Sequence, residues 1–254
     1  MKPWPYLICL ILVYFLANSA RAQILVTSFD AFSGGSANNS RLVAQGVVSK
    51  LNDKLEVYHC HLTTAFVAAT EQIIGCINQL PESPKLIISL GEGGCGKLKL
   101  ETVARNWAYG RGTDNLGQSR NGEVIIAGAP QRIGLNIDWS KPFCSLDYNS
   151  QKSITLASND AQTFVCNETM YRMSYFHSQI PFGFIHVPAH SCRQRSQKID
   201  ESIEIISHLI NEFDKMPEIN FSPYLTEESA LQSQFDRAEN ECERDFLRRL
   251  IISY

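Results

Sequence analysis

Little in this chain is concentrated in one place. No basic patch stands out, which removes the electrostatic footprint of nucleic-acid binding. There is no internal repeat and no low-complexity tract. Beyond the first 22 residues no apolar run approaches the length needed to span a bilayer. Metal-site spacing is missing as well. "HCH", His59 to His61, has no second cluster, and zinc requires three or four convergent ligands. On a strand His59 and His61 share one face while Cys60 points away.

A working dinucleotide fingerprint is also lacking. "GEGGCG", Gly91 to Gly96, satisfies G-x-G-x-x-G in form, but that motif requires a helix beginning within its glycines. Here "KLKLETVA" follows, with Leu98 and Leu100 alternating as in a strand. The glycines therefore read as a tight loop at a strand's carboxyl end, where α/β sheets place ligands.

What is present is the composition of a globular domain: 254 residues, 44% hydrophobic and 19% charged, enough to bury a full core. "MKPWPYLICLILVYFLANSARA" carries Lys2, an apolar run from Leu7 to Leu16 and Ala20-Arg21-Ala22, and reads as a cleaved signal peptide over residues 1–22. Removing Lys2 and Arg21 from the 23 basic residues leaves 21 against 26 acidic ones, a net charge of −5. The mature chain is thus expected to be secreted or periplasmic, with no membrane association once the leader is cleaved.

Export alters the meaning of the cysteines. Cys9 leaves with the leader, and Cys60, Cys76, Cys95, Cys144, Cys166, Cys192 and Cys242 remain in an oxidising compartment. Seven is odd, so at least one thiol stays single; six can form three bridges in fifteen ways that sequence does not resolve.

Periodicity sets the fold class. "AQILVTSF" reads as a strand, Ser40 as the cap of a helix, and "KLEVYHCHL" as another strand; Ala65 to Leu80 has helical spacing. "KLIISLGEGG" and "FGFIHVP" are apolar enough to be buried on both faces. "GEVIIAGAP" and "SITLASND" add strands, a helix begins near Phe164, and Ile199 to Phe213 closes the series. Alternating strands and helices predict a three-layer α/β/α sandwich on a largely parallel twisted sheet, a single domain over 23–214. Residues 215–254 are predicted to form a linker and a C-terminal helical extension packed on that domain. Cys242 lies on its apolar stripe, where a bridge could pin it.

One thiol stands apart. In "ASNDAQTFVCNETMY" Cys166 falls in the first turn of a helix, where the macrodipole favours thiolate. A nucleophilic cysteine needs a base and a group to orient it. His186, ending the "GFIHVP" strand, is the best-placed histidine, and Glu101 the best-placed acid to fix its tautomer.

At these residues the chain resembles the pyroglutamyl-peptidase I family of cysteine peptidases. Four blocks in order carry the likeness: "ILVTSFDAF", "SLGEGG…LETVARNWAYGRGTDN", "SNDAQTFVCN" and "GFIHVP", spanning roughly Ile24 to Pro188. The resemblance implies a Glu101–Cys166–His186 triad, an oxyanion-stabilising Arg111, and a pyroglutamyl pocket at Phe29, Phe32, Thr64, Glu92 and Phe164. It implies N-terminally pyroglutamylated peptides as partners, a thioester intermediate, and neither cofactor nor metal. Phe29 and Phe32 are expected in one loop, facing one cavity. Ser28, Ala31, Gln162 and Glu92 replace the family's usual glycine, proline, glycine and glutamine. Two alternatives stand beside the peptidase: a non-catalytic pyroglutamyl-peptide-binding protein, and a cysteine amidohydrolase of altered specificity. Of three sequon-type triplets, at Asn38, Asn167 and Asn220, only the last is placed for a glycan.

Overall fold

A computed structural model of the chain describes residues 23–32, 35–110, 112–157, 163–217 and 235–252. The expected leader and three residues discussed above, Arg111, Gln162 and Asn220, lie outside the described residues.

The core is built from strands too apolar to tolerate water on either face. β1 (Gln23–Phe29) and β10 (Phe182–Val187) are buried at every position, and β3 (Leu86–Glu92) at all but its last. With β2 (Glu56–Leu62), β4 (Leu98–Glu101) and β9 (Ile154–Ala157) they form one sheet in the order β2-β1-β3-β10-β4-β9. All neighbours run parallel except β10 and β4, which pair antiparallel. The three-layer α/β/α sandwich is the architecture found. Helix α1 (Asn39–Leu51) packs on the long helix α6 (Arg195–Asp214), and α2 (Ala68–Ile77) on α5 (Val165–Phe176). Gly46 permits the first contact, since a Cβ there would lie 2.2 Å from Ile203.

Two local expectations change. The cap of α1 is Asn38, whose Oδ1 accepts Ser40 N–H at 2.9 Å. Ser40 sits inside the helix, its Oγ 3.1 Å from the N–H of Phe29, and so ties α1 to the end of β1. "GEVIIAGAP" is not one strand. β7 (Asn121–Glu123) pairs only with the short β6 (Ala108–Tyr109), and the Asn106 side chain then binds both N–H and C=O of Ile126 at 2.8 Å. That side chain satisfies backbone groups a sheet ladder would otherwise use. β5 (Val103–Arg105) and β8 (Arg132–Gly134) form a further small antiparallel pair.

Six cysteines pair. Cys60–Cys76 joins β2 to α2, and Cys95–Cys192 joins the glycine loop after β3 to the loop after β10. Cys144–Cys242 joins α3 (Ser140–Cys144) to the final helix α7 (Glu241–Ile252), beside the Phe143 and Phe246 rings at 5.0 Å. Cys166 is the free cysteine among the described residues. His59 and His61 do share a face of β2, both bonded to Ser28 Oγ at 2.8 and 3.0 Å, while Cys60 is buried in its bridge. Among the described residues no helix is long and apolar enough to cross a membrane.

Candidate active site

The site lies at the carboxyl ends of β3 and β10. His186 is the penultimate residue of β10, buried, with its backbone locked between β3 and β4. Because β4 runs antiparallel to β10, Glu101 sits opposite Phe184 and diagonal to His186. Its Oε1 accepts the Nδ1–H of His186 at 2.8 Å. Glu101 is 0% exposed, and its Oε2 has no partner among the described residues. A carboxylate so placed is compensated chiefly by the imidazole it touches.

Cys166 is the second residue of α5 and half-buried. Phe164, at the N-cap, supplies no side-chain bond, so first-turn amides are not occupied by a capping oxygen. The thiol acts on His186; Nδ1 being committed to Glu101, Nε2 is the nitrogen left for sulfur. Burial by itself would push the His186 pKa down. Interaction with Cys166 and with the Glu101 carboxylate outweighs it and raises the value to about 9. The arrangement favours an imidazolium beside Cys166, a cation placed where a cysteine nucleophile needs one.

Glycines at the end of β3 and just after it shape the surroundings of His186. A Cβ on Gly91 would stand 2.8 Å from Phe184 and 3.0 Å from His186 Cδ2, and one on Gly93 3.0 Å from His186 Cβ. Their role is close approach to an imidazole, not to a pyrophosphate.

The aromatic residues divide differently from the expected pattern. Phe29 belongs to β1, not to a loop, and is buried against Phe184 with ring centroids 6.1 Å apart. Phe32 lies beyond the strand, 39% exposed, and faces Phe164 at 5.9 Å. The two therefore do not share a cavity wall; extended strand geometry directs Phe29 into the core. Phe66, missed in the sequence, meets Phe164 edge-on at 5.0 Å. Its only sequence signal is its place two residues after Thr64. Gly110 leaves room for the Phe164 ring, which a Cβ would approach to 2.7 Å.

Thr64 does not present a free hydroxyl. Its Oγ1 donates to Asp30 C=O at 2.9 Å, and its N–H to Asp30 Oδ1 at 2.7 Å. It holds the loop that carries Phe32. Glu92 likewise has both oxygens committed, Oε2 to the N–H of Asn39 at 2.5 Å and Oε1 to Nδ1–H of His190 at 2.8 Å. Those donors answer the cost of burying this carboxylate. Asn39 and His190 were not legible as its partners, because they come from opposite ends of the chain. Arg111 lies outside the described residues.

Asn167, next to the thiol, is 1% exposed. Its side chain accepts from Arg105 N–H at 2.8 Å and donates to the carbonyls of Arg105 and Trp107 at 2.8 and 3.0 Å. A glycan there is incompatible with the fold. Asn38, buried in its cap and donating to Asp30 C=O at 2.9 Å, is equally closed.

Comparison with known proteins gives consistent matches. Residues 22–208 match the family model described as pyroglutamyl peptidase. Pyrrolidone-carboxylate peptidase 1 of Caldanaerobacter subterraneus is 32% identical over 181 residues, covering 65% of this chain and 82% of that protein. The pyrrolidone-carboxylate peptidase of Lactobacillus helveticus is 27% identical, covering 71% and 93%. Among solved structures, pyroglutamyl peptidase I from Bacillus amyloliquefaciens superposes with a TM-score of 0.64 at 24% identity, over 80% of this chain and 100% of that one. A mutant pyrrolidone carboxyl peptidase from Pyrococcus furiosus gives 0.64 at 20%, over 77% and 100%.

Proposed function

The chain belongs to the pyroglutamyl peptidase family of cysteine peptidases, and on that premise we propose that Cys166, His186 and Glu101 hydrolyse the amide following an N-terminal pyroglutamyl residue. The observation that carries this assignment is one imidazole hydrogen-bonded to a buried carboxylate and held under the influence of the cysteine that is free among the described residues.

The reaction follows from those contacts. His186 holds the proton taken from Cys166, and the thiolate attacks the pyroglutamyl carbonyl carbon. The carbonyl oxygen becomes an oxyanion, met by the first-turn amides of α5 and by Arg111; such a donor is worth about 3–4 kcal/mol in the transition state. The C–N bond breaks as His186 returns the proton to the departing amine, leaving a thioester on Cys166. Water, deprotonated by His186, then attacks that thioester and frees pyroglutamate and the thiol. Glu101 keeps the imidazole oriented throughout and stabilises it whenever it carries the proton. A neutral lactam calls for apolar walls; the Phe32 and Phe164 rings, the latter two residues before Cys166 and backed by buried Phe66, are the apolar surface available.

The enzyme works outside the cytoplasm on this reading. The leader-like first 22 residues and three cysteine bridges support export, since bridges persist in oxidising compartments. The deciding experiment is release of a chromophore from a pyroglutamyl amide by reduced-thiol wild type, against Cys166→Ala. Turnover by the wild type alone is the expected result. Binding without any turnover would instead favour the non-catalytic alternative.

A further inference from the structure

The Glu92 carboxylate is 7% exposed and lies outside the proposed triad, yet it is held from two sides. Its Oε2 accepts the first-turn N–H of Asn39, at the positive end of α1, and its Oε1 accepts Nδ1–H of His190. Asn39 is itself fixed, donating through Nδ2 to Pro188 C=O at 2.9 Å and accepting at Oδ1 from Arg195 Nε at 2.8 Å. The next residue in each direction ties the start of α1 to the end of β1 and the segment that follows it. Ser40 Oγ accepts the N–H of Phe29, and Asn38 Nδ2 donates to the carbonyl of Asp30, two residues before Phe32. The His190 ring also lies beside the turn that follows Phe32: a Cβ on Gly35 would be 4.0 Å from its Cε1. The Cys95–Cys192 bridge braces the segments just after Glu92 and His190, with Cα atoms 5.3 Å apart.

We infer that His190 is a positioning residue for the substrate pocket: through Glu92 it fixes the start of α1, and through α1 the Asp30–Phe32 segment that sets Phe32 against Phe164. This rests on the pyroglutamyl-peptidase reading of the site and adds to it a specificity element remote from the reacting atoms. His190 touches neither Cys166 nor His186 among the described contacts, so its loss weakens substrate fit before it weakens chemistry. The bond it makes is to a carboxylate shielded from water, where such bonds are worth most.

Three variants test this: His190→Ala, His190→Asn and Glu92→Gln. Asparagine places an amide N–H close to where Nδ1–H stood. Glutamine retains an acceptor for Asn39 and offers an N–H to the other tautomer of His190. With a pyroglutamyl chromogenic amide, His190→Ala is expected to raise KM roughly ten-fold with kcat within about two-fold, and His190→Asn to bring KM back within about three-fold of wild type. Glu92→Gln should stay closer to wild type than His190→Ala does. Hydrogen exchange supplies a readout free of activity: the Asn39 amide and residues 29–32 should exchange faster in His190→Ala and not in His190→Asn.

An unchanged KM in His190→Ala, or a KM that His190→Asn fails to restore, overturns the inference while leaving the peptidase intact. If wild type shows no turnover, the peptidase reading falls, and exchange at Asn39 then decides whether His190 holds this network. Unaltered exchange in His190→Ala refutes it. Should His190→Ala fail to fold, the same comparison runs between His190→Asn and His190→Leu, which keeps the volume and lacks the donor.

Discussion

Gly91 and His186 face each other across neighbouring parallel strands, and a single added carbon on Gly91 would stand 3.0 Å from the imidazole Cδ2. The motif that imitates a nucleotide-binding loop is thereby explained by the ring it accommodates. The backbone of β3 must pass that close for the base to sit at the carboxyl edge of the sheet with Glu101 behind it.

Gly91→Ala follows directly as a test. The new methyl meets Phe184 as well as His186, and neither ring has open space behind it. Overpacking of this kind costs about 1–3 kcal/mol. A displaced base lowers kcat, so kcat/KM is expected to fall by at least roughly ten-fold. Full activity in Gly91→Ala would show that the close approach does not position His186.

Glu101→Gln should act on both rate and pH profile. The carboxylate is one of the groups holding the His186 pKa up at about 9, so its loss lowers that value. The alkaline limb of kcat/KM, expected near pH 9 in wild type, moves to lower pH. The rate falls by roughly 10²–10⁴-fold, because an amide no longer selects the tautomer or steadies the imidazolium. A limb that stays in place would assign the alkaline titration to some other group.

Stability carries the same signature with a defined sign. His186 binds its proton more tightly folded than unfolded, with a value of about 9 against an ordinary 6.5. The protonated ring therefore stabilises the fold fully below pH 6.5, and the contribution is lost as pH rises through about 9. Denaturant melts of wild type and His186→Ala across that interval should converge toward pH 9 and beyond.

Asn167→Ala removes three hydrogen bonds to backbone groups at the end of β5 and in the turn before β6. Leaving buried backbone groups unpaired costs about 1–3 kcal/mol each before relaxation, so a loss of about 3 kcal/mol overall is expected in urea unfolding. A loss below about 1 kcal/mol would mean that water replaces the amide without penalty.

Thiol titration of the denatured, unreduced mature protein should find one reactive sulfhydryl, and alkylation should place it at Cys166. Of the bridges, Cys144–Cys242 closes 98 residues and Cys60–Cys76 only 16. Chain-entropy reasoning then predicts a stability loss of about 4–5 kcal/mol for a Cys144→Ser/Cys242→Ser pair and about 3 kcal/mol for Cys60→Ser/Cys76→Ser. Equal losses would show that unfolded-chain entropy does not set their contribution.

Much of this was legible from local pattern. Apolar runs such as "KLIISL" announced strands buried on both faces, and a polar segment before Phe164 announced the helix that bears Cys166. "VIIA" misled, because its hydrophobicity is that of a strand while Asn106 takes up its backbone groups. Phe29 misled for a related reason: one more residue of β1 turns its side chain into the core.

Sequence alone therefore gave the class of fold, the odd thiol, and His186 and Glu101 as its candidate base and orienting acid, since these readings rest on periodicity, counting and ordered motifs. Which cysteines pair, where β4 reverses direction, and that Glu92 joins Asn39 to His190 depended on tertiary structure. Those contacts bridge 53 and 98 residues of chain, and proximity across such distances is decided by how strands and helices stack, not by any local preference.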